Sequence, residues 1–525
     1  MPTPIGLTKG PAETPLEFKF ITPDKIKLKS GEFVYYLFNG KKVICRVVKR
    51  QPLRLYPDIY LSKPTVSPEK IIKALGINTK EFELFEVKAS IIGYYDKKLG
   101  FVNPRIPPKP GQPIYLAEPE TIQEVLMKKR KGEIGSIHIG YLLNRDEDVP
   151  VVLDAALVTS EHMCILASTG SGKSYLAGVI AEELLKPYNA AALLIFDPHG
   201  EYHTLKEVEK LDEFKKNGYS PRVKVLGKNE IKIRLCELEY DELVTLLQAS
   251  KLTDKMEALL NEVYKELMGK KFTSEDLINK IREIAEIEGG GFKSTASGLI
   301  WRIRRYIQDI DVIDDYRHME LKEILRPGQA TILQLTEMQE IEQQILACVL
   351  LKRILKARIN AEKNLSGEKL EYPVFIILEE AHRFASKDAI SYKVLRTILA
   401  EGRKFGVGVC LISQRPSKID SDILSQCMTQ IIMRIVNPED QENIKNSVES
   451  IGRDLIEELP GLTKGQALVA GVSINTPVLI RVRERLTSHG GTSKDAPREW
   501  VRWTSSMEEE KPALKQVQGR LFWTE

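Results

Sequence analysis

Long apolar runs are missing from this chain of 525 residues: no stretch approaches the roughly 18 uninterrupted apolar residues that a membrane-crossing helix needs. No membrane role is expected. The start of the chain lacks a charged-then-apolar leader, which points to the cytoplasm. Cysteine is scarce, and the six present (Cys45, Cys164, Cys236, Cys348, Cys410, Cys427) include no Cys-x-x-Cys pair, so neither a zinc site nor a disulfide framework is expected. Of the seven histidines only His199 and His203 are close in sequence, and they follow a strand rather than share a helix face. No metal is expected on them. A strong charge of one sign is also absent: the net charge is +4, with the excess at the front, where residues 1–150 hold 25 basic and 17 acidic side chains. A polyanionic partner is allowed but not demanded.

What is present is a 42% apolar, 29% charged chain, the composition of a globular protein of several domains. Phe33 to Phe38 and Val43 to Val48 flank Asn39-Gly40, a strong hairpin turn signal. Ala89 to Tyr95 and Ile114 to Leu116 also read as strands, and the proline-rich stretch from Asn103 to Pro113 between them predicts an irregular loop. A small β-barrel over residues 1–145 is the expectation. From Val151 strands alternate with helices, which implies a parallel sheet with crossover helices. The expected divisions are a first core segment at 146–236, a charged helical insertion at 237–326 broken by Gly289-Gly290-Gly291, a second core segment at 327–485 and an extended tail at 486–525. No internal repeat is visible.

The chemistry starts at Ala167-Ser168-Thr169-Gly170-Ser171-Gly172-Lys173-Ser174, directly after the apolar run Met163 to Leu166. A glycine loop between a strand and a helix turns successive N–H groups toward a phosphate, and the helix N-terminus behind it favours anions. Lys173 is placed to reach the β- and γ-phosphates of ATP, and Ser174 to ligate Mg²⁺. Tyr175 begins the helix, and Ala167 stands where the strictest pattern has glycine. Small size suffices there if the position needs no positive φ.

Five further residues fit phosphoryl transfer. The strand Val374 to Leu378 ends in Glu379-Glu380; two carboxylates after five apolar residues are costly without a cation, so Glu379 is the candidate Mg²⁺ ligand and Glu380 the candidate base. Gln414 ends the next strand and is placed to sense the γ-phosphate. Asp197 ends the strand Ala191 to Phe196 and either supports the water shell or caps a turn. Arg403, in Glu401-Gly402-Arg403-Lys404-Phe405, is a candidate arginine finger across a subunit interface, with Arg415 as its rival.

Together, Ser160-Glu161-His162, the phosphate loop, Asp197-Pro198-His199-Gly200-Glu201-Tyr202, Ile377 to His382 and Leu411 to Pro416 resemble the archaeal HerA ATPases, relatives of the FtsK-type DNA pumps. The resemblance covers about residues 20–485. It implies a RecA-like P-loop core, a hexameric ring around double-stranded DNA, and partnership with the NurA nuclease in end resection for recombinational repair. It also implies that the barrel abuts the nuclease, that the tail braces a neighbouring subunit, and that Ile480 and Arg481 border the adenine. Glu379 in place of the more general aspartate is usual in that branch. Two other readings stay open: a nucleotide-gated regulatory clamp, and a ring ATPase that threads polypeptide.

Overall fold

The computed structural model describes residues 2–23, 28–53, 67, 70, 84–145, 148–247, 252–288, 292–448, 451–491 and 495–504. Its first part is built of strands β1 (Gly6–Pro11), β2 (Glu17–Pro23), β3 (Phe33–Phe38), β4 (Lys41–Pro52), β5 (Leu84–Asp96), β6 (Gly100–Val102) and β7 (Pro113–Leu116). The antiparallel order β2-β1-β7-β3-β4-β5 closes because β2 pairs back onto β5. Six strands make a closed barrel, and β6 hangs on β5. Asn39 and Gly40, with φ of 48° and 74°, supply the two left-handed residues that a tight turn between β3 and β4 requires. Alternation along β3 sends Val34 and Tyr36 into the barrel and Phe33 and Tyr35 the other way, into a cluster shared with the large sheet. The outer face of the barrel is therefore covered on that side.

The large sheet uses β8 (Ser136–Leu142), β9 (Pro150–Asp154), β10 (Met163–Leu166), β11 (Ala192–Asp197) and β12 (Arg222–Leu226). A separate two-stranded pair, β13 (Ile233–Arg234) with β14 (Ile313–Asp314), lies beside the helical insertion. The sheet resumes with β15 (Gln329–Gln334), β16 (Val374–Leu378), β17 (Val407–Ser413), β18 (Thr429–Ile432), β19 (Gln466–Gly471) and β20 (Val478–Val482). Its order is β12-β15-β11-β16-β17-β10-β18-β19-β20-β8-β9. The seven strands from β12 to β18 pair in parallel, and the rest antiparallel. Both faces of the central strands are covered: Leu194, Phe196, Ile376 and Leu378 enter one core, and Leu193, Ile195, Phe375 and Ile377 the other. That is why these strands read as unbroken apolar runs. Each such side chain contributes roughly 1.5–3 kcal/mol on burial.

Helix α1 (Lys173–Leu185) follows the phosphate loop, and the insertion consists of α2 (Tyr240–Leu247), α3 (Asp254–Leu267), α4 (Ser274–Glu288) and α5 (Phe292–Ile303). Long helix α6 (Glu340–Glu362) begins with a capping box between Gln339 and Glu342; α7 (Tyr392–Glu401) precedes β17. Among the described residues no helix is long and apolar enough to cross a membrane.

Several boundaries differ from expectation. Strand β8 lies within the stretch expected to be barrel, yet it hydrogen-bonds β20 and β9 in the large sheet. Gly140 allows this: a Cβ there would stand 2.1 Å from the Arg481 carbonyl oxygen, so the strands approach too closely for any side chain. Helix α1 starts at Lys173 rather than Tyr175 because Gly172, at φ 104°, turns the chain directly into it. Residues 486–491 do not leave the chain: the Leu486 and Thr487 amides donate to Glu182 on α1, and the Ser488 amide donates to Glu207. Residues 505–525 of the expected tail lie outside the described residues, as does the glycine cluster at 289–291.

Candidate active site

The phosphate loop sits at the carboxyl edge of β10. Gly170 and Gly172 take φ of 79° and 104°, conformations that L side chains rarely adopt. Ala167 is not among the positive-φ residues, and its amide donates to the Ser413 carbonyl at 3.1 Å. Alanine is thus compatible with the position. The loop is tied down from two sides, by the Ser168 amide on the Arg434 carbonyl at 2.9 Å and the Gly465 amide on the Ser171 carbonyl at 3.2 Å.

The ends of β10, β11, β16 and β17 lie side by side in the sheet, so the groups that follow them converge. The Lys173 ammonium contacts Glu379 Oε1 and stands 3.0 Å from Glu380 Oε1. Ser174 Oγ donates to Glu379 Oε1 at 3.3 Å, and the Tyr202 hydroxyl donates to Glu379 Oε2 at 2.6 Å. Gln414 bridges loop and carboxylate: its amide nitrogen donates to Glu380 Oε1 at 3.0 Å, and its oxygen accepts the Thr169 hydroxyl at 2.6 Å. His199 Nε2 is 3.4 Å from Glu380 Oε1, and His382 Nδ1 is 3.3 Å from Oε2. Glu380 holds a left-handed backbone, φ 52° and ψ 46°. For a non-glycine residue this costs roughly 1–2 kcal/mol and persists where surrounding contacts over-determine it.

The two carboxylates are electrostatically unequal. Burial pushes the Glu379 pKa up, against the opposing pull of Lys173 and Tyr202. Burial also opposes ionisation of Glu380, but the His199 hydrogen bond, the Lys173 charge and His382 outweigh it and draw its pKa down to about 2. Lys173 loses charge preference through burial and regains more from the acidic pair, so its pKa is raised. Neighbouring titratable groups pushed apart in this way are the usual mark of divided acid–base roles.

Asp197 is fully buried and accepts the amides of Gly200 (2.8 Å), Glu201 (3.1 Å) and Tyr202 (3.1 Å); burial raises its pKa despite these bonds. It organises the turn after β11. Arg403 precedes β17, whereas the phosphate loop follows β10, and β10 and β17 run parallel. Arg403 therefore lies at the opposite edge of the sheet, two-thirds exposed and paired with Glu161 at 3.0 Å. Arg415 is exposed on the Gln414 side. On β20, Ile480 is fully buried in the core and Arg481 exposed.

Five groups that sequence reasoning left without a role stand at the site. His199, Tyr202 and His382 sit within the motif runs; the partners of His199 and Tyr202 are distant in the chain, whereas His382 meets Glu380 two residues before it. Arg485 presents its amide to the Tyr175 hydroxyl at 2.7 Å and its guanidinium 5.9 Å from the Tyr175 ring centre, while His489 meets that ring edge-on at 5.8 Å. Gly178 on α1 makes room, since a Cβ there would stand 2.5 Å from the Arg485 guanidinium carbon. The glycine was a local signal, but nothing nearby in sequence points to Arg485.

Residues 137–354 match the family model described as Helicase HerA, central domain. The chain is 34% identical to a probable helicase of Methanocaldococcus jannaschii over 76% of its own length and 75% of that protein. It is 30% identical to the DNA double-strand break repair helicase HerA of Pyrococcus furiosus, over 72% and 74% respectively. With the like-named protein of Sulfurisphaera tokodaii it shares 28% identity over 93% and 95%. VirB4 of Thermoanaerobacter pseudethanolicus has a similar fold, at a TM-score of 0.50 and 15% identity over 67% of this chain and 97% of that one.

Proposed function

Because the chain belongs to the HerA helicase family and is an ATP-hydrolysing helicase or translocase, we propose that it drives double-stranded DNA during double-strand break repair. In this reading it acts as a hexameric ring with the NurA nuclease in end resection, the barrel facing the nuclease. The observation that carries the reading is the convergence of Lys173, Glu379, Glu380 and Gln414 at one sheet edge, behind a glycine loop.

Lys173 exchanges its carboxylate partners for the β- and γ-phosphates. Ser174 and Glu379 fit a metal: the Ser174 hydroxyl and Glu379 Oε1 lie 3.3 Å apart, and Glu379 is a buried carboxylate that a cation would neutralise. A Mg²⁺ ion held there would neutralise charge on the phosphate oxygens. Glu380, kept ionised by its neighbours, takes the proton of the attacking water. Gln414, released from Glu380, reports the γ-phosphate to the loop through Thr169. Asp197 holds the turn that aims His199 and Tyr202. The adenine lies against Tyr175, Arg485 and His489; Ile480, buried in the core, is not available to it, while Arg481 is exposed. Arg403 serves the site of an adjacent subunit, since its own lies at the other end of β17.

ATP turnover tests the reading. Lys173→Ala abolishes it, and Glu380→Gln leaves nucleotide bound and unhydrolysed. Duplex DNA stimulates turnover, and added salt weakens the stimulation. Stimulation by unfolded polypeptide and not by DNA replaces the reading with a threading ring. A monomeric particle in the presence of ATP and duplex DNA removes the role of Arg403.

A further inference from the structure

The turn Asp197-Pro198-His199-Gly200-Glu201-Tyr202 is more elaborate than the joining of a strand to a helical turn requires. Asp197 commits its carboxylate to three backbone amides of the turn itself. Gly200 takes φ 73°, the one position in the turn with a left-handed backbone. With the backbone fixed in this way, two side chains project onto the acidic pair, one to each carboxylate: Tyr202 onto Glu379 at 2.6 Å and His199 onto Glu380 at 3.4 Å.

The partners of Glu380 are not equivalent. Lys173 and Gln414 share Oε1 with His199, but each has a second task, the ammonium toward phosphate and the amide toward Thr169. The imidazoles of His199 and His382 flank the carboxylate on different oxygens, so they still define its orientation once the other two turn away. His382 also lies 3.4 Å from the Ser413 hydroxyl. His199 comes from the rigid, Asp197-capped turn on a neighbouring strand, and its side chain is 41% exposed at the mouth of the site while that of Glu380 is 1% exposed. A held carboxylate with a left-handed backbone needs such an outside brace.

Resting on the reading of Glu380 as the base, we infer that His199 is a positioning residue for hydrolysis: its Nε2 holds the Glu380 carboxylate in the orientation that accepts the proton of water. Removal of such an outer partner lowers rate rather than nucleotide affinity.

The test uses the full chain at saturating ATP, Mg²⁺ and duplex DNA, with kcat and KM for ATP measured separately. His199→Ala lowers kcat roughly 10- to 100-fold and leaves KM within about twofold. His199→Gln, whose amide reaches about as far as Nε2, restores kcat to within about threefold of the parent; His199→Asn, whose amide stops short, does not. Normal kcat in His199→Ala, or equal rates in the Gln and Asn variants, overturns the inference, as does a loss confined to KM. If His199→Ala does not fold, the Gln and Asn pair decides by the same comparison. Glu380→Gln separates the two levels: full turnover in that variant overturns the base assignment itself, whereas its loss beside an unaffected His199→Ala overturns only the brace.

Discussion

Tyr202→Phe removes a single oxygen from the centre of the site. Tyr202 and Glu379 are both fully buried, and Glu379 Oε2 accepts the Tyr202 hydroxyl at 2.6 Å while Oε1 is served by Lys173 and Ser174. The substitution keeps the ring, and hence its packing, but takes away the donor on one oxygen of a buried carboxylate. A hydrogen bond to a charged group contributes about 1.5–3 kcal/mol net, so the variant loses about 2 kcal/mol of stability. The Glu379 pKa, already raised by burial, rises further. If Glu379 ligates Mg²⁺, a carboxylate harder to ionise and less well oriented weakens the metal, and 1.4 kcal/mol of that loss equals about a tenfold rise in the Mg²⁺ needed for half-maximal turnover. Urea titration of the nucleotide-free protein and Mg²⁺ titration of ATP turnover give the two numbers. Stability within about 0.5 kcal/mol of the parent, together with an unchanged Mg²⁺ requirement, refutes the reasoning that this hydroxyl supports the carboxylate.

His162, at φ 55° with its Nδ1 accepting the Val409 amide at 3.2 Å, is held near pKa 4 by burial. A base with a depressed folded pKa contributes stability fully above its unfolded value near 6.5 and loses it as pH falls toward 4, about 3 kcal/mol by then; His162→Asn, tolerant of that backbone, flattens the urea midpoint between pH 6.5 and 4. Arg358, fully buried, donates to the carbonyls of Phe405 and Leu370 at 2.6 Å each and pairs with Glu362. Arg358→Met strands both carbonyls and lowers stability by roughly 3–5 kcal/mol, which a thermal melt reads directly. Gly408→Ala places a Cβ 2.0 Å from the Thr159 carbonyl oxygen; backbone cannot yield there, and a loss above about 3 kcal/mol or failure to express folded protein is expected.

What could be read in advance follows from how locally each feature is encoded. Strands β10, β11 and β16 were legible because burial on both faces leaves them apolar, but for the Asp197 that ends β11. The β3–β4 hairpin was legible through Asn39-Gly40 alone. Strands β1, β2, β8 and β12 were not: each mixes polar and apolar residues, and β8 carries a histidine and a glycine that only the facing strand explains. The phosphate loop and the acidic pair are contiguous runs, so their chemistry shows at once. The bracing of that pair is not contiguous. Tyr202 and Glu379 are separated by 177 positions and Tyr175 and Arg485 by 310, and only the sheet order, which brings β11 beside β16, makes such partners neighbours.

Strand β17 joins Arg403 at one end to Gln414 at the other and is hydrogen-bonded along its length to β16 and β10. A strand clamped on both sides behaves as a stiff rod about 20 Å long and does not stretch. A small push at the amide end therefore arrives at the arginine end nearly undiminished. In the proposed ring this would couple each subunit's own nucleotide, at the Gln414 end, to its neighbour's, at the Arg403 end, equally in both directions.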